Sequence, residues 1–334
     1  LLVESIIVRA EDMTQNISVE VEAARSKLDE IRQATMAVYF GDPATVDLLL
    51  VAVLGKGHVL VEGVPGIAKT TLVKVLATVL GCSVRRIQFT PDLLPADITG
   101  TYVLNPREGS FSFRGGPLFA NIVLADEINR ATAKTQSALL EAMQERQVTI
   151  EGNRFELPEP FFVLATQNPI DLEGTYPLPE AQLDRFIMRL RMSYTTLREE
   201  VAMLKSHGVT APVASAALTA TELLRLQSIA EKIFVEDDLY EYIVRLVAFT
   251  RSNRDVVLGA SPRACLALLR CAKSRSLIEG RTFLTPDDVR AVAPAVLEHR
   301  LILVPELEGD ADARSRIVAD AIAKVPYRKA VRPT

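Results

Sequence analysis

Tryptophan is absent from these 334 residues, cysteine and histidine occur three times each, and aromatic residues make up only 6 %. The lack of tryptophan bears on no function. The cysteines, Cys82, Cys265 and Cys271, are odd in number and lack paired metal-type spacing, and His58, His207 and His299 are scattered. That excludes a disulfide scaffold or a zinc site as the organising device and makes a reducing, cytoplasmic setting the expectation. Long apolar runs are missing too. Leu48 to Leu54 is typical of the longest and falls far short of the roughly 20 residues that span a bilayer, so no membrane insertion is expected. Leu1 to Ala10 carries Glu4 and shows no basic, apolar, small-residue succession, so it does not read as a signal peptide, although a start at Leu rather than Met leaves a preceding leader open. A surplus of charge is likewise lacking. With 38 basic and 42 acidic side chains the net charge is −4, and nothing global draws the chain to nucleic acid or an anionic membrane; a local basic groove stays open.

What is present is globular: 49 % hydrophobic and 24 % charged residues, in a length that accommodates two domains, without internal repeats or low-complexity tracts. Ile17, Val21, Ala24, Leu28, Ile31 and Val38 recur at helical steps, which predicts an amphipathic packing helix. A second helix is predicted over Ala44 to Leu54. Strand signals follow at His58 to Glu62, Ser83 to Phe89, Ile122 to Asp126, Phe161 to Thr166 and Phe186 to Met192, mostly separated by helical segments. Such alternation predicts a mainly parallel sheet with helices on both faces and a ligand at the carboxyl ends of the strands.

Two stretches interrupt the pattern. Gly100 to Pro117 alternates around an Asn105-Pro106 turn, and Gln147 to Leu157 alternates around Gly152-Asn153, so each is expected to form a hairpin. After Met192 the strand signals stop. Ser193 to Ala217 reads as a linker with a short helix, and the rest as an all-helical domain. Thr219 to Glu222 is a capping box, and Ser261-Pro262 and Thr285-Pro286 place a capping hydroxyl before a first-turn proline. The expected division is an α/β core with its N-terminal helix over 1–195, a linker over 196–217 and an all-helical domain over 218–334.

The first chemistry-bearing motif lies between the first sheet strand and the helix after it. Gly63, Val64, Pro65, Gly66, Ile67, Ala68, Lys69, Thr70 and Thr71 have the layout of a phosphate-binding loop. Backbone N–H groups of such a turn cradle phosphates, the helix N-terminus adds positive potential, Lys69 reaches the outer phosphates and a threonine hydroxyl holds Mg²⁺. The plain alternative is a Gly/Pro turn before a helix. Lys-Thr-Thr argues against it, because first turns favour acidic residues. Ala68 stands where the usual motif has Gly, so the backbone there must avoid conformations only glycine tolerates.

The strand Asn121 to Asp126 ends in adjacent carboxylates. At its exit the chain turns, so Asp126 is expected to address Mg²⁺ while Glu127 orients or deprotonates a water. Asn168 ends the next buried strand at the same edge, placed to meet the γ-phosphate or the attacking water, though Asn-Pro is also ordinary turn chemistry. Arg185, in Glu180 to Phe186, is positioned to point towards a neighbour's nucleotide, where an arginine stabilises charge on the transferred phosphoryl group. Arg263 occupies a helix first turn, a poor place for a cation, which a phosphate partner would explain. A surface salt bridge is the ordinary alternative for each arginine.

Seven phrases in order, spanning about residues 40 to 300, resemble AAA+ ATPases and within them the MoxR family: Glu62 to Thr70, Ile87 to Gly100, Ala125 to Ala131, Glu141 to Glu145, Ala165 to Pro169, Tyr176 to Ala181 and Gly259 to Arg263. Ala before the lysine is usual in that family. The resemblance implies an α/β RecA-like αβα core with β-hairpin insertions, a small all-helical lid, and homo-hexameric rings with ATP, or ADP after turnover, between subunits. It assigns Lys69 and Thr70 to phosphate and Mg²⁺, Asp126 to Mg²⁺, Glu127 to water activation and Asn168 to γ-phosphate sensing. Arg185 becomes the arginine finger and Arg263 the lid's phosphate sensor, in cis or in trans. Gly41-Asp42-Pro43 departs from the Gly-Gln common there, which leaves base recognition open.

By resemblance the function is Mg²⁺-dependent ATP hydrolysis that remodels or matures a protein complex, with a von Willebrand factor A domain protein as partner. Two other classes compete. A nucleic-acid-stimulated motor would use Arg107, Arg114 and Arg154 on the hairpins, but the aromatic-basic interleaving of a strand-tracking groove is sparse. A non-catalytic ATP-binding scaffold is the third.

Overall fold

The computed structural model describes residues 2–63, 69–107, 109–168, 175–194, 196–207 and 214–327, with side chains from residue 17 onward. In chain order the elements are α1 (Leu2–Met36), α2 (Pro43–Leu54), β1 (Val59–Glu62), α3 (Lys69–Val79), β2 (Val84–Gln88), α4 (Pro95–Thr99), β3 (Gly100–Asn105), β4 (Ser110–Gly115) and β5 (Ile122–Asp126). They continue with α5 (Ala133–Glu145), β6 (Gln147–Ile150), β7 (Asn153–Glu156), β8 (Phe162–Gln167), α6 (Glu180–Leu183), β9 (Met188–Arg191), α7 (Leu197–His207) and α8 (Ala220–Glu231). The remainder is α9 (Asp237–Arg251), β10 (Val256–Leu258), α10 (Pro262–Ile278), α11 (Pro286–Leu297), β11 (Ile302–Leu303) and α12 (Ala313–Lys324). Contacts divide them into two compact units, one of Leu1–Gln33, Asp47–Gly55 and Leu224–Thr334, the other of Ala34–Val46 and Lys56–Leu223. The N-terminal helix, expected with the nucleotide-binding core, thus groups with the helical segments of the chain.

All five predicted sheet strands form, in the order β2-β5-β8-β1-β9, and every neighbouring pair is parallel. Parallel strands covered on both faces need apolar side chains in succession rather than in alternation. Val59 to Val61, Ile122 to Ala125 and Phe162 to Ala165 supply them, all buried. Burial of each Val, Leu, Ile or Phe contributes about 1.5–3 kcal/mol, which fixes the three central strands as the rigid floor of the unit. Strand β2 is an edge: Ile87 is buried while Arg85, Arg86 and Gln88 are exposed.

His58 ties this floor together. Its Nδ1 accepts from the Val163 N–H at 3.0 Å, so Nε2 carries the proton and donates to the Met143 carbonyl at 3.0 Å. Burial pushes the imidazole down to about 4, because a charged ring there would lose its acceptor nitrogen and its solvation. A depressed basic group binds protons better in the unfolded chain. Stability is therefore expected to be full above about pH 6.5, the ordinary histidine value, and to fall as pH drops towards 4. His58→Gln, which keeps one donor and one acceptor, should flatten that slope in denaturant titrations; an unchanged slope would assign it to other groups.

Both interrupting stretches are two-stranded antiparallel hairpins, β3–β4 and β6–β7. The second turn lies one residue earlier than expected. Ile150 pairs with Asn153, so Glu151 and Gly152 make the turn with φ of 50° and 82°, the left-handed pair that suits strand twist. The hairpins dock on each other: Phe113 stacks on Phe155 at 4.0 Å between centroids, and Asn153 Nδ2 donates to the Tyr102 hydroxyl at 2.9 Å.

In the helical unit, Val21, Ala24, Leu28 and Ile31 of the predicted stripe are buried, whereas Val38 follows the end of α1. Buried Gln227 donates to the Val53 carbonyl at 2.7 Å, which anchors α8 to α2. Ser261 caps α10 by accepting from the Arg263 N–H at 3.2 Å, and Thr285 with Asp288 forms the capping box of α11. The region expected as a linker contains α7, eleven residues long. Among the described residues no helix is long and apolar enough to cross a membrane.

Candidate functional site

Parallel register brings the carboxyl ends of four strands to one edge. Gln88 pairs with Asp126, Ala125 with Ala165, and Glu62 with Gln167. Immediately beyond β1 comes Gly63, and α3 begins at Lys69; Val64, Pro65, Gly66, Ile67 and Ala68 of the predicted loop lie outside the described residues. The ammonium of Lys69 donates to the Gly63 carbonyl, so the two ends of the loop meet. Burial lowers the lysine's pKa, while the nearby Asp126 and Glu127 carboxylates pull it back up. Lys69, Asp126 and Glu127 therefore form one electrostatic cluster. Thr70 is half-buried and Thr71 exposed.

The two carboxylates are held differently. Asp126 Oδ1 accepts from the Thr166 hydroxyl at 2.6 Å, and Oδ2 accepts from Arg86 Nε at 3.1 Å and Nη2 at 2.7 Å. Glu127 leaves the strand in the left-handed region, φ 57° and ψ 50°, an uncommon conformation for a side chain of this size. Its N–H donates to Thr166 Oγ1 at 2.9 Å. Its Oε2 accepts from Gln88 Nε2 at 2.9 Å and pairs with Arg130 Nε at 3.1 Å. The expected turn at the strand exit is thus present, and it sends the two carboxylates to different donors, which Thr166 and a 2.7 Å bond from Arg86 Nη2 to Gln88 Oε1 link into one network.

Arg86, Gln88 and Thr166 were not singled out from sequence. Strand alternation places Arg86 and Gln88 on one side of β2, and Gln88 and Thr166 each lie in a phrase that carries the resemblance, so a signal existed for both.

Asn168 directly follows β8 and is buried; its carbonyl accepts from Asn129 Nδ2 at 3.5 Å. Arg185 stands elsewhere. It precedes β9, whose first residue pairs with Val59 at the start of β1, so it lies at the amino end of the sheet, opposite the edge with Asp126 and Glu127. Arg263 is exposed in the first turn of α10, within the other compact unit.

The donor set fits a magnesium ion. Asp126 and Thr70 offer oxygen ligands, and among the described residues no group of three or more His, Cys, Asp or Glu forms a denser cage. Mg²⁺ characteristically takes one or two protein groups and fills its shell with phosphate oxygens and water. When bound, it would neutralise phosphate charge.

The model of the ATPase family associated with various cellular activities (AAA) matches residues 58–188, and that of the AAA lid domain matches residues 248–321. Chaperone MoxR1 of Mycobacterium tuberculosis is 46 % identical over 305 residues, covering 89 % of this chain and 80 % of that protein. The chain belongs to the MoxR family of AAA+ ATPases. YeaC of Bacillus subtilis is 47 % identical over 290 residues, 85 % of this chain and 91 % of YeaC. A crystal structure of a Cytophaga hutchinsonii protein taken to be an ATPase aligns with a TM-score of 0.88 and 37 % identity, covering 96 % of this chain and 99 % of that one. This MoxR-family chain is therefore an ATPase with a parallel-sheet AAA+ domain and a helical lid, as the motifs implied.

Proposed function

We propose that this MoxR-family ATPase hydrolyses ATP with Mg²⁺ in a homo-hexameric ring and uses the cycle to remodel or mature a protein complex in the cytoplasm. The observation that carries the chemistry is the Lys69, Asp126 and Glu127 cluster at the carboxyl edge of the sheet, beside a loop closed by Lys69 and Gly63. In this reading the loop Gly63 to Thr71 binds the phosphates, Lys69 pairs with the outer ones, and Thr70 with Asp126 holds the metal. Glu127 takes the proton of the attacking water, with Gln88 and Arg130 fixing the carboxylate's direction. Asn168 senses the γ-phosphate. Arg263 acts on phosphate from the lid.

The reading of a ring is supported by the position of Arg185. An arginine at the amino end of the sheet is badly placed for its own Asp126 edge and well placed to serve a neighbour's site. Arg185→Ala is expected to bind ATP and hydrolyse it at least 10³-fold more slowly. Mixing it with Lys69→Ala subunits, which retain Arg185, should restore part of the activity. Absence of rescue across all mixing ratios would refute a finger supplied in trans.

The relative named chaperone MoxR1 supports work on a protein client; a von Willebrand factor A domain protein is the proposed partner. Capture on Glu127→Gln loaded with ATP should retain client and partner, and lose both on exchange to ADP. Salt-sensitive DNA binding accompanied by ATPase stimulation would instead favour the nucleic-acid motor.

A further inference from the structure

Beside the exposed edge of β2 lies a cavity of about 570 Å³, lined by Arg85 and Arg86 of that strand, Asp97 of α4 and Arg114 of β4. Its remaining wall is the base of the first hairpin, where buried Gly100, with φ of 103°, lies against half-buried Gly116 and exposed Gly115. A Cβ on Gly116 would meet the Ile98 carbonyl at 2.4 Å, so this wall has a fixed shape. The wall offers little to an anion, since the Gly100 N–H donates to Ala96 and the Gly116 N–H to Thr99. Recognition has to come from the guanidiniums.

Their charge state sets the ligand class. The side chains of Arg85 and Arg114 make no hydrogen bond or ion pair among the described residues. Asp97 already accepts from the Leu94 N–H at 2.8 Å. Three positive charges and one negative charge line the same space, a surplus of two while Arg86 faces the cavity and of one while Asp126 holds it. Guanidinium forks match carboxylate and phosphate oxyanions bidentately, and forks on two separate strands can grip a tetrahedral phosphate-class anion from two sides.

We propose that this cavity is a second anion site, separate from the nucleotide loop, that takes a phosphate-class oxyanion between Arg85, Arg86 and Arg114. Arg86 belongs to both sites, because its Nε and Nη2 also hold Asp126. An anion in the cavity therefore competes with Asp126 for Arg86, and its occupancy reports on the Asp126 edge of the ATPase site. The coupling rests on the role proposed for Asp126; the anion site itself does not.

The test is calorimetric titration of inorganic pyrophosphate into protein saturated with ADP, so that the nucleotide loop is already filled. One further site is expected in the wild type. Arg85→Ala and Arg114→Ala should each weaken it at least about tenfold without changing ADP affinity. Asp126→Asn, which releases Arg86, should tighten it several-fold. No pyrophosphate binding in the ADP-saturated wild type, or binding indifferent to both arginine substitutions, overturns the site. Succinate binding tighter than pyrophosphate overturns the phosphate assignment. Loss of the Asp126→Asn effect alone overturns the competition for Arg86. A failure of ADP to bind is read in the same experiment and would count against the nucleotide loop, not against the cavity.

Discussion

Glu127→Gln is expected to bind ATP as the wild type does and to hydrolyse it about 10²–10⁴-fold more slowly, the range over which a positioned general base contributes. The substitution keeps the side chain's length and its left-handed backbone, so the strain at φ 57° is unchanged. The Glu127 N–H to Thr166 bond involves only backbone on the glutamate side and persists. What disappears is the proton acceptor. Gln88 and Arg130 both donate towards Oε2, and an amide oxygen can satisfy those donors without being able to take a proton from water. A fall in phosphate release at unchanged nucleotide affinity is the required result. Retained turnover would show that another group activates the water, and loss of ATP binding would show that Glu127 supports the loop rather than the chemistry. Gln88→Ala serves as a control on direction: the carboxylate remains, but one of its two donors is gone, so a smaller loss is expected.

Much of this arrangement is legible in the sequence, for identifiable reasons. Buried parallel strands must be apolar throughout, so Val59 to Val61, Ile122 to Ala125 and Phe162 to Ala165 announced themselves, and a carboxylate pair at the end of one of them marked the edge of the proposed site. The hairpins were visible as alternation. What escaped was cross-strand. That Arg86 would bind Asp126 and Gln88 would bind Glu127 depends on β2 lying next to β5, a strand order that element sequence alone does not state. The hairpin turn slipped by one residue because Gly152 can occupy either turn position, and only the Ile150 to Asn153 pairing decides. The grouping of α1 with the helical unit was hidden for a similar reason: an amphipathic stripe says that a helix packs, and is silent about its partner.

Asp288→Ala should destabilise the helical unit by about 1–3 kcal/mol, the cost of leaving hydrogen-bond donors of half-buried Arg275 and Arg281, Ser276 and Thr285 without their acceptor. The carboxylate is completely buried and accepts six hydrogen bonds. Its Oδ1 takes Arg275 Nη1 at 2.9 Å and Arg281 Nη2 at 2.5 Å; its Oδ2 takes Arg281 Nη1 at 2.6 Å, Ser276 Oγ at 2.9 Å, and the Thr285 N–H and hydroxyl at 2.9 and 2.7 Å. One side chain thus fastens the end of α10 to the start of α11 and closes the capping box at the same time. Burial alone would raise its pKa, but the bonds from Arg281, Thr285 and Ser276 outweigh that and hold it at about 2 against an ordinary 3.8. A depressed acid binds protons better when unfolded, so its contribution is complete above about pH 3.8 and is lost as pH falls through 2. Asp288→Asn separates charge from shape: it keeps the volume, exchanges one acceptor for a donor facing Arg281, and should fall between wild type and alanine. Because a chain of two units need not unfold in one step, amide exchange along α10 and α11 is the decisive measurement. Protection there should drop while that of β1, β5 and β8 stays; equal protection in both helices of wild type and Asp288→Ala would rule out this carboxylate as the fastening of the lid.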